Sequence, residues 1–282
     1  MSLETKTREI VHHFGFKFSK SLGQNFLIDQ DVLDSIVDAV EIDDETSVIE
    51  IGPGIGTLTQ ELAKKAEKVL AIELDDSLIP VLSETLANYK NIKVLHEDAL
   101  KVDFKQLIQD EGLKKVKVAA NLPYYVTTPI ITKLFEDKPG IESITVMIQK
   151  EVADRIAAGP GTKDYGALSL IVQYYAEVDT ICIAPKECFI PQPKVESEVI
   201  RMSIREEPAV TVKDEAFFFS VIRAAFNMRR KTLWNALKPL GLSPDALKKA
   251  FEESGIDPQR RGETLSMEEF GRLSDTIYLL KS

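Results

Sequence analysis

The sequence predicts an α/β domain built on a mostly parallel seven-stranded sheet, followed by a small all-α domain, the two spanning residues 1–206 and 207–282. Three observations predict it. From about residue 46 to 150, short β-branched runs alternate with helical patterns, the rhythm of a parallel sheet with crossover helices. Between about 178 and 205, two further strand runs flank a proline-rich loop, CFIPQPK, with no long helical pattern. After Glu206-Glu207-Pro208 the apolar period becomes helical.

Taken in order, SVIEIG precedes TLTQELAKKA, KVLAIEL precedes DSLIPVLSETLANY, and IKVLHED precedes FKQLIQD. KVAANLP then precedes PIITKLF, and SITVMIQ precedes EVADRIAA. EVDTICIA and VESEVIRMSIR read as a β-hairpin at the sheet edge. In DEAFFFSVIRAAF, Phe217, Val221, Ala224 and Ala225 fall on one helix face. SPDALKKAFEESG places Ser243 at an N-cap, Pro244 at the first helical position and Gly255 past the end. Ser266 and Glu269 form a capping-box pattern before FGRLSDTIYLL. There is no internal repeat and no low-complexity tract.

A chain of 282 residues, 44% of them hydrophobic, can bury a sizeable core and exceeds the usual single-domain length. No stretch approaches the roughly 20 apolar residues of a membrane span, and the N-terminus is charged where a signal peptide is apolar. The expectation is a soluble, cytoplasmic protein. Cys182 and Cys188 are too few for a disulfide framework, and the three histidines, His12, His13 and His96, are not spaced as metal ligands. No metal is expected. The net charge of −10 argues against nucleic acid, yet residues 201–282 hold 14 Lys and Arg against 12 Asp and Glu. Local clusters decide binding, and they occur in FKFSKSLGQ, FNMRRKTLWN and DPQRRGET.

The most informative motif is Glu50-Ile51-Gly52-Pro53-Gly54-Ile55-Gly56, between a strand pattern and a helix pattern. Glycines there allow a tight turn and close approach of backbone to ligand. About 20 residues on, Glu73 ends the next strand, where an acid accepts hydrogen bonds from ribose hydroxyls. The spacing G-x-G-x-G and the preceding Glu50 suit S-adenosylmethionine better than a nicotinamide cofactor, whose pyrophosphate would lie beside that carboxylate. Asp98 ends the third strand, in place to accept from an adenine amino group, and Asn121-Leu122-Pro123-Tyr124 ends the fourth. Gly52, Glu73, Asp98 and Asn121 thus share the carboxyl ends of strands, where ligands bind in such sheets. Singly, each has a plain structural explanation: a tight turn, a solvated strand end for Glu73, a helix cap for Asp98.

An exocyclic amine on adenine is a poor nucleophile, because its lone pair is delocalised into the ring. Asn121 and nearby carbonyls are suited to orient it and accept its hydrogens. Pro123 holds the loop open, and Tyr124 offers a face for an extruded base. Transfer from a sulfonium depends mainly on holding methyl and amine close and in line. Phe189 is a second stacking candidate, with core packing as its alternative. A proline turn with a buried tyrosine is the alternative for the tetrapeptide.

These segments give the chain a close resemblance to the ribosomal RNA adenine dimethylase family, and within it to the bacterial small-subunit dimethyladenosine transferases. The resemblance spans nearly the whole chain: KSLGQNFLID, IEIGPGIGTLT, the acid of AIELD, HEDAL, NLPYYVTTPII, VMIQKEVADRI, FIPQPKVESEV and FNMRRKTLWNAL. It implies a Rossmann-like class I methyltransferase domain. Asn25, Leu27, Gly52 and Gly54 would border S-adenosylmethionine, Glu73 would hold its ribose and Asp98 its adenine amino group. Asn121 would lie between cofactor and target, with Tyr124 and Phe189 sandwiching the base and Leu122 completing the catalytic set. The implied substrate is the small ribosomal subunit, with two adjacent adenosines in the 3'-terminal hairpin of its 16S rRNA each dimethylated late in assembly. A monomer is expected.

Arg223, Arg229, Arg230 and Lys231 recur at spacings that place several on one side of a helix beside Phe226 and Trp234, suiting phosphate contacts. A solvated helix face is the alternative, and Trp234 also reads as helix packing. The competing functions are a large-subunit adenine methyltransferase of the resistance branch, a largely noncatalytic assembly factor, and a hydride-transferring dehydrogenase.

Overall fold

A computed structural model describes residues 2–16 and 23–281. It contains nine strands and twelve α-helices among the described residues. The strands are β1 (Phe26–Leu27), β2 (Ser47–Ile51), β3 (Lys68–Glu73), β4 (Ile92–His96), β5 (Lys117–Asn121), β6 (Ser143–Gln149), β7 (Ala176–Ala184), β8 (Phe189–Ile190) and β9 (Ser197–Ile204). Seven form one sheet in the order β4-β3-β2-β5-β6-β9-β7, and β1 pairs with β8. The first five sheet strands are parallel neighbours, and β9 runs antiparallel to β6. All seven predicted strands are present, with β9 beside β7 at one edge as expected.

The helices are α1 (Leu3–His13), α2 (Gln30–Ala39), α3 (Thr57–Ala63), α4 (Ile79–Thr85), α5 (Phe104–Asp110), α6 (Thr127–Glu136), α7 (Lys150–Ala157), α8 (Ala167–Tyr175), α9 (Glu215–Asn227), α10 (Leu233–Ala236), α11 (Pro244–Ser254) and α12 (Met267–Lys281). Parallel strands covered on both faces read as unbroken apolar runs, and β2 is buried at every position. Its neighbours are β3 on one side and β5 on the other. The sheet therefore changes direction of growth between β2 and β5, which opens a crevice at their carboxyl ends.

The chain divides into two compact units, Met1–Ala153 with Glu177–Ile204, and Asp154–Ala176 with Arg205–Ser282. The second unit is thus not a single segment after residue 206. The reason is apolar: Tyr165, Leu170 and Tyr174 are buried in one cluster with Phe218, Ile222 and Phe270. The Tyr165 hydroxyl also donates to the Leu265 carbonyl at 3.0 Å. Within this unit α11 begins on Ser243, whose Oγ accepts from Ala246 N, and ends on left-handed Gly255. Ahead of α12, Ser266 N donates to Glu269 Oε2 at 2.8 Å and Glu269 N to Ser266 Oγ at 3.2 Å, a complete capping box.

No helix of the described residues is long and apolar enough to cross a membrane.

Candidate active site

The crevice between β2 and β5 is a pocket, open to solvent, that collects every cofactor-binding and catalytic residue singled out above. Its lining includes Asn25, Leu27, Gly52, Gly54, Glu73, Asp98, Asn121, Leu122, Tyr124 and Phe189. Each arrives for a local reason. Gly52 (φ 71), Gly54 (φ 60) and Gly56 (φ 88) all adopt left-handed backbone, which turns the chain sharply from β2 into α3. A Cβ at Gly54 would come within 3.1 Å of the Phe26 ring, so any other residue there would have to push that ring aside as well as adopt left-handed backbone. Leu27 pairs with Phe189 across β1 and β8, which brings two segments distant in sequence to one wall.

Glu73 is 6% exposed, not a solvated strand end. Its Oε1 accepts from Asp75 N at 2.7 Å and its Oε2 from Gly54 N at 3.3 Å, so it also braces the glycine loop. Burial raises its pKa above the ordinary carboxylate value despite these donors. Asp98 lines the pocket, and its Oδ1 accepts from Leu100 N at 3.0 Å in the following turn; it is not a helix cap, since Asp103 caps α5.

Asn121 ends β5 and donates from Nδ2 to the Asn25 carbonyl at 3.1 Å, which fixes the orientation of its side-chain amide at the pocket wall. Leu122 is held by its N–H on the Met147 carbonyl at 3.1 Å. The Tyr124 hydroxyl lies 2.8 Å from Ser197 Oγ, and burial raises its pKa. Phe189 is 4% exposed and belongs to the core cluster of its unit as well as to the pocket wall, so packing and lining coincide.

Other lining residues escaped the sequence reading as ligand contacts. Glu50, read in sequence only as unsuited to a pyrophosphate, is 1% exposed, with Oε2 unpartnered among the described residues and its pKa pushed up to about 8 by burial against the opposing effect of nearby Thr59. The available signal was a carboxylate within an apolar strand run. Leu74 and Tyr125 also line the pocket while remaining 47% and 54% exposed. Both follow directly on residues singled out in the sequence, Glu73 and Tyr124, without being singled out themselves. Gln24, whose Nε2 donates to Asp75 Oδ2 at 2.5 Å, lies in the same wall.

The charge of the lining is one-sided. Glu50, Glu73, Glu97 and Asp98 contribute carboxyls, and no Lys or Arg is present among the described lining residues. Such a wall suits a ligand rich in amino and hydroxyl donors and offers a pyrophosphate no cationic partner.

The basic residues divide differently. Lys17 and Lys20 of the FKFSKSLGQ cluster lie outside the described residues. Arg223 is exposed on α9, but Arg229, Arg230 and Lys231 are not on a helix, because α9 ends at Asn227 and α10 begins at Leu233. Met228 (φ −125, ψ 55) breaks the helix. Arg229 Nη2 donates to the carbonyls of Lys163 at 2.8 Å and Tyr165 at 3.3 Å, which draws it onto the 159–165 loop. Arg230 and Lys231 are exposed. Phe226 and Trp234 are packing residues, against Tyr165 and Phe270 and against Phe251 respectively. Among the described residues no group of His, Cys, Asp and Glu is arranged to hold a metal ion, and both cysteines are free.

The model of the family described as ribosomal RNA adenine dimethylase matches residues 15–278. A Clostridium acetobutylicum protein named ribosomal RNA small subunit methyltransferase A is 60% identical over 98% of this chain and 99% of its own length. A Clostridium botulinum protein of the same name is 55% identical over 96% and 98%. Among solved structures, a dimethyladenosine transferase from Plasmodium falciparum superposes with a TM-score of 0.76 at 26% identity, covering 88% of this chain and 95% of that one. The 23S rRNA methyltransferase ErmE superposes with a TM-score of 0.69, also at 26% identity, over 90% and 100%.

Proposed function

The chain belongs to the ribosomal RNA adenine dimethylase family, and from that premise we propose that it dimethylates two adjacent adenosines in the 3'-terminal hairpin of small-subunit (16S) rRNA, late in ribosome assembly. It is an enzyme, and its methyl donor is S-adenosylmethionine. We propose that it works in the cytoplasm, as a monomer, on the small ribosomal subunit. The single observation that carries the reading is the convergence of the glycine loop, Glu73, Asp98 and the Asn121–Tyr124 tetrapeptide on one acidic pocket. The small-subunit assignment is supported by relatives of that name at 55–60% identity along nearly the full chain, against 26% for the 23S enzyme.

The residues fit the cofactor. Glu50 presents a buried carboxyl oxygen without a partner, which a positively charged amino group would satisfy. Glu73 would hold the ribose and Asp98 the adenine amino group, with Gly52 and Gly54 letting the backbone close in. Asn25 and Leu27 complete the wall. When bound, S-adenosylmethionine supplies an electron-poor methyl group on a charged sulfur. The protein's part is placement: Asn121 accepts a hydrogen from the adenine amine through its side-chain oxygen, Leu122 confines the amine, and Tyr124 and Phe189 flank the extruded base. Arg223, Arg230 and Lys231 of the second unit would meet rRNA phosphates, with Arg229 ordering the loop beside them.

The test is transfer of radiolabelled methyl from S-adenosylmethionine to unmethylated small subunits, with large subunits in parallel and nucleoside analysis of the product. N6,N6-dimethyladenosine in the small subunit alone is expected. Label in the large subunit would move the protein to the resistance branch.

A further inference from the structure

We infer that Ser197 is a positioning residue for methyl transfer, its hydroxyl tethering the ring of Tyr124. The inference rests on the reading of Tyr124 as a platform for the target base. Ser197 opens β9, is 1% exposed, and is not part of the pocket lining. Among the described residues it reaches the site through the 2.8 Å contact between its Oγ and the Tyr124 hydroxyl.

Both ends of that contact are anchored to the same strand. Ser197 pairs with Gln149 at the end of β6. Leu122 N–H donates to the Met147 carbonyl, two residues earlier on β6. On the far side of Tyr124, Val126 N–H and Thr127 Oγ1 both donate to the Pro123 carbonyl. The backbone around Tyr124 is therefore held, and what remains is rotation of the ring about its two side-chain torsions. A hydroxyl tether at the ring tip removes that rotation.

Stacking alone does not account for a tyrosine here. A phenylalanine presents the same apolar faces to a base. The phenol differs in carrying a hydroxyl in the plane of the ring, so a hydrogen bond made there orients the faces without covering them. A buried serine hydroxyl in turn is costly without a partner, and Tyr124 supplies one.

The experiment is a double-mutant cycle on methyl transfer to unmethylated small subunits, with cofactor affinity measured calorimetrically using S-adenosylhomocysteine. Ser197→Ala and Tyr124→Phe remove the same hydrogen bond from opposite ends. Each is expected to lower kcat by about 3- to 10-fold, the range for one net hydrogen bond, with cofactor affinity unchanged. The double variant is expected to be no slower than the slower single. Tyr124→Phe leaves β9 untouched, so a matching loss there separates tethering from damage to the strand. Independent losses that multiply in the double variant, or wild-type kcat in Ser197→Ala, would overturn the inference. Tyr124→Ala distinguishes its failure from failure of the reading beneath it. If that variant keeps its kcat, the stacking role itself falls; if it is inactive while Ser197→Ala is normal, only the tether does.

Discussion

A carboxyl in the middle of an apolar strand raises the cost of folding unless it is neutral or paired. Glu50 is such a group, pushed up from 4.5 to about 8 by burial, with the neighbouring Glu73 carboxyl acting in the same direction. A raised carboxyl pKa means that the folded chain keeps its proton where the unfolded chain has released it, so stability falls as pH rises from about 4.5 to about 8 and then levels. Glu50→Gln removes that dependence. Its melting temperature in the cofactor-free protein is expected to exceed wild type by a margin that grows between pH 5 and pH 8; a margin independent of pH would contradict the buried protonated carboxyl. The same substitution is expected to weaken cofactor binding, because the unpartnered oxygen is the feature that fits a cationic group. Asn121 makes the opposite separation. Asn121→Ala loses its tie to the Asn25 carbonyl and the acceptor for the amine, so it is expected to fold and bind cofactor while losing transfer by about 100-fold, the scale of a misplaced reacting group. Normal turnover would remove Asn121 from the mechanism.

At the scale of elements, the turn between α9 and α10 separates two jobs that a run of basic residues conceals in sequence. Arg229 is drawn onto the Lys163 and Tyr165 carbonyls, whereas Arg230 and Lys231 stay exposed. Arg229→Ala is expected to destabilise the protein by about 1 kcal/mol, discounted for its half-exposed side chain, and to lower the melting temperature. Arg230→Ala with Lys231→Ala is expected to leave melting unchanged and to weaken binding to the small subunit. The slope of log affinity against log salt should fall by about 1 for each phosphate that the variant no longer neutralises. Equal salt slopes in this pair and wild type would leave the two residues as solvated surface. Which residues share a helix was the part the periodicity misjudged, because Asn227 at the end of α9 and Thr232 ahead of α10 are short cues inside a basic run. Two of the helices not predicted, α8 and α1, carry weak local signals, whereas α2, also not predicted, carries clear ones in Asp29 as N-cap and an apolar face of Val32, Leu33, Ile36 and Val37. α8, ALSLIVQYY, is apolar along most of its length, so its buried face stands out little in sequence. α1 is mostly polar, with Thr7 its only buried residue. By contrast, elements with strong punctuation were legible to the residue: Ser243 and Gly255 bound α11, and Ser266 with Glu269 caps α12. The pocket was legible where glycine spacing and NLPY carry a mechanism, and silent at Tyr125 and Leu74, whose placement depends on which strands become neighbours.

For the whole molecule, the central question is which residues belong to which compact unit. A linear reading ends the first unit at residue 206, where composition and period change. The packing instead assigns residues 154–176 to the helical unit, since Tyr165, Leu170 and Tyr174 are 1%, 0% and 2% exposed within its core cluster. The chain thus enters the second unit, returns to supply β7, β8 and β9, and leaves again. Stability of the helical unit then depends on a segment donated from the middle of the sequence. A chain ended at residue 206 would strip the partners from three large buried side chains at once, and apolar burial of that size contributes about 1.5–3 kcal/mol for each. Such a fragment is expected to bind a hydrophobic dye and to aggregate at concentrations where the full chain stays dispersed. Replacing Tyr165, Leu170 and Tyr174 by polar residues in the fragment should reduce both signals, whereas the same replacements in the full chain should unfold the helical unit. A fragment ending at 206 that stays dispersed and dye-free would mean that α8 packs adequately without α9 and α12, and that the boundary read from the sequence is also the physical one.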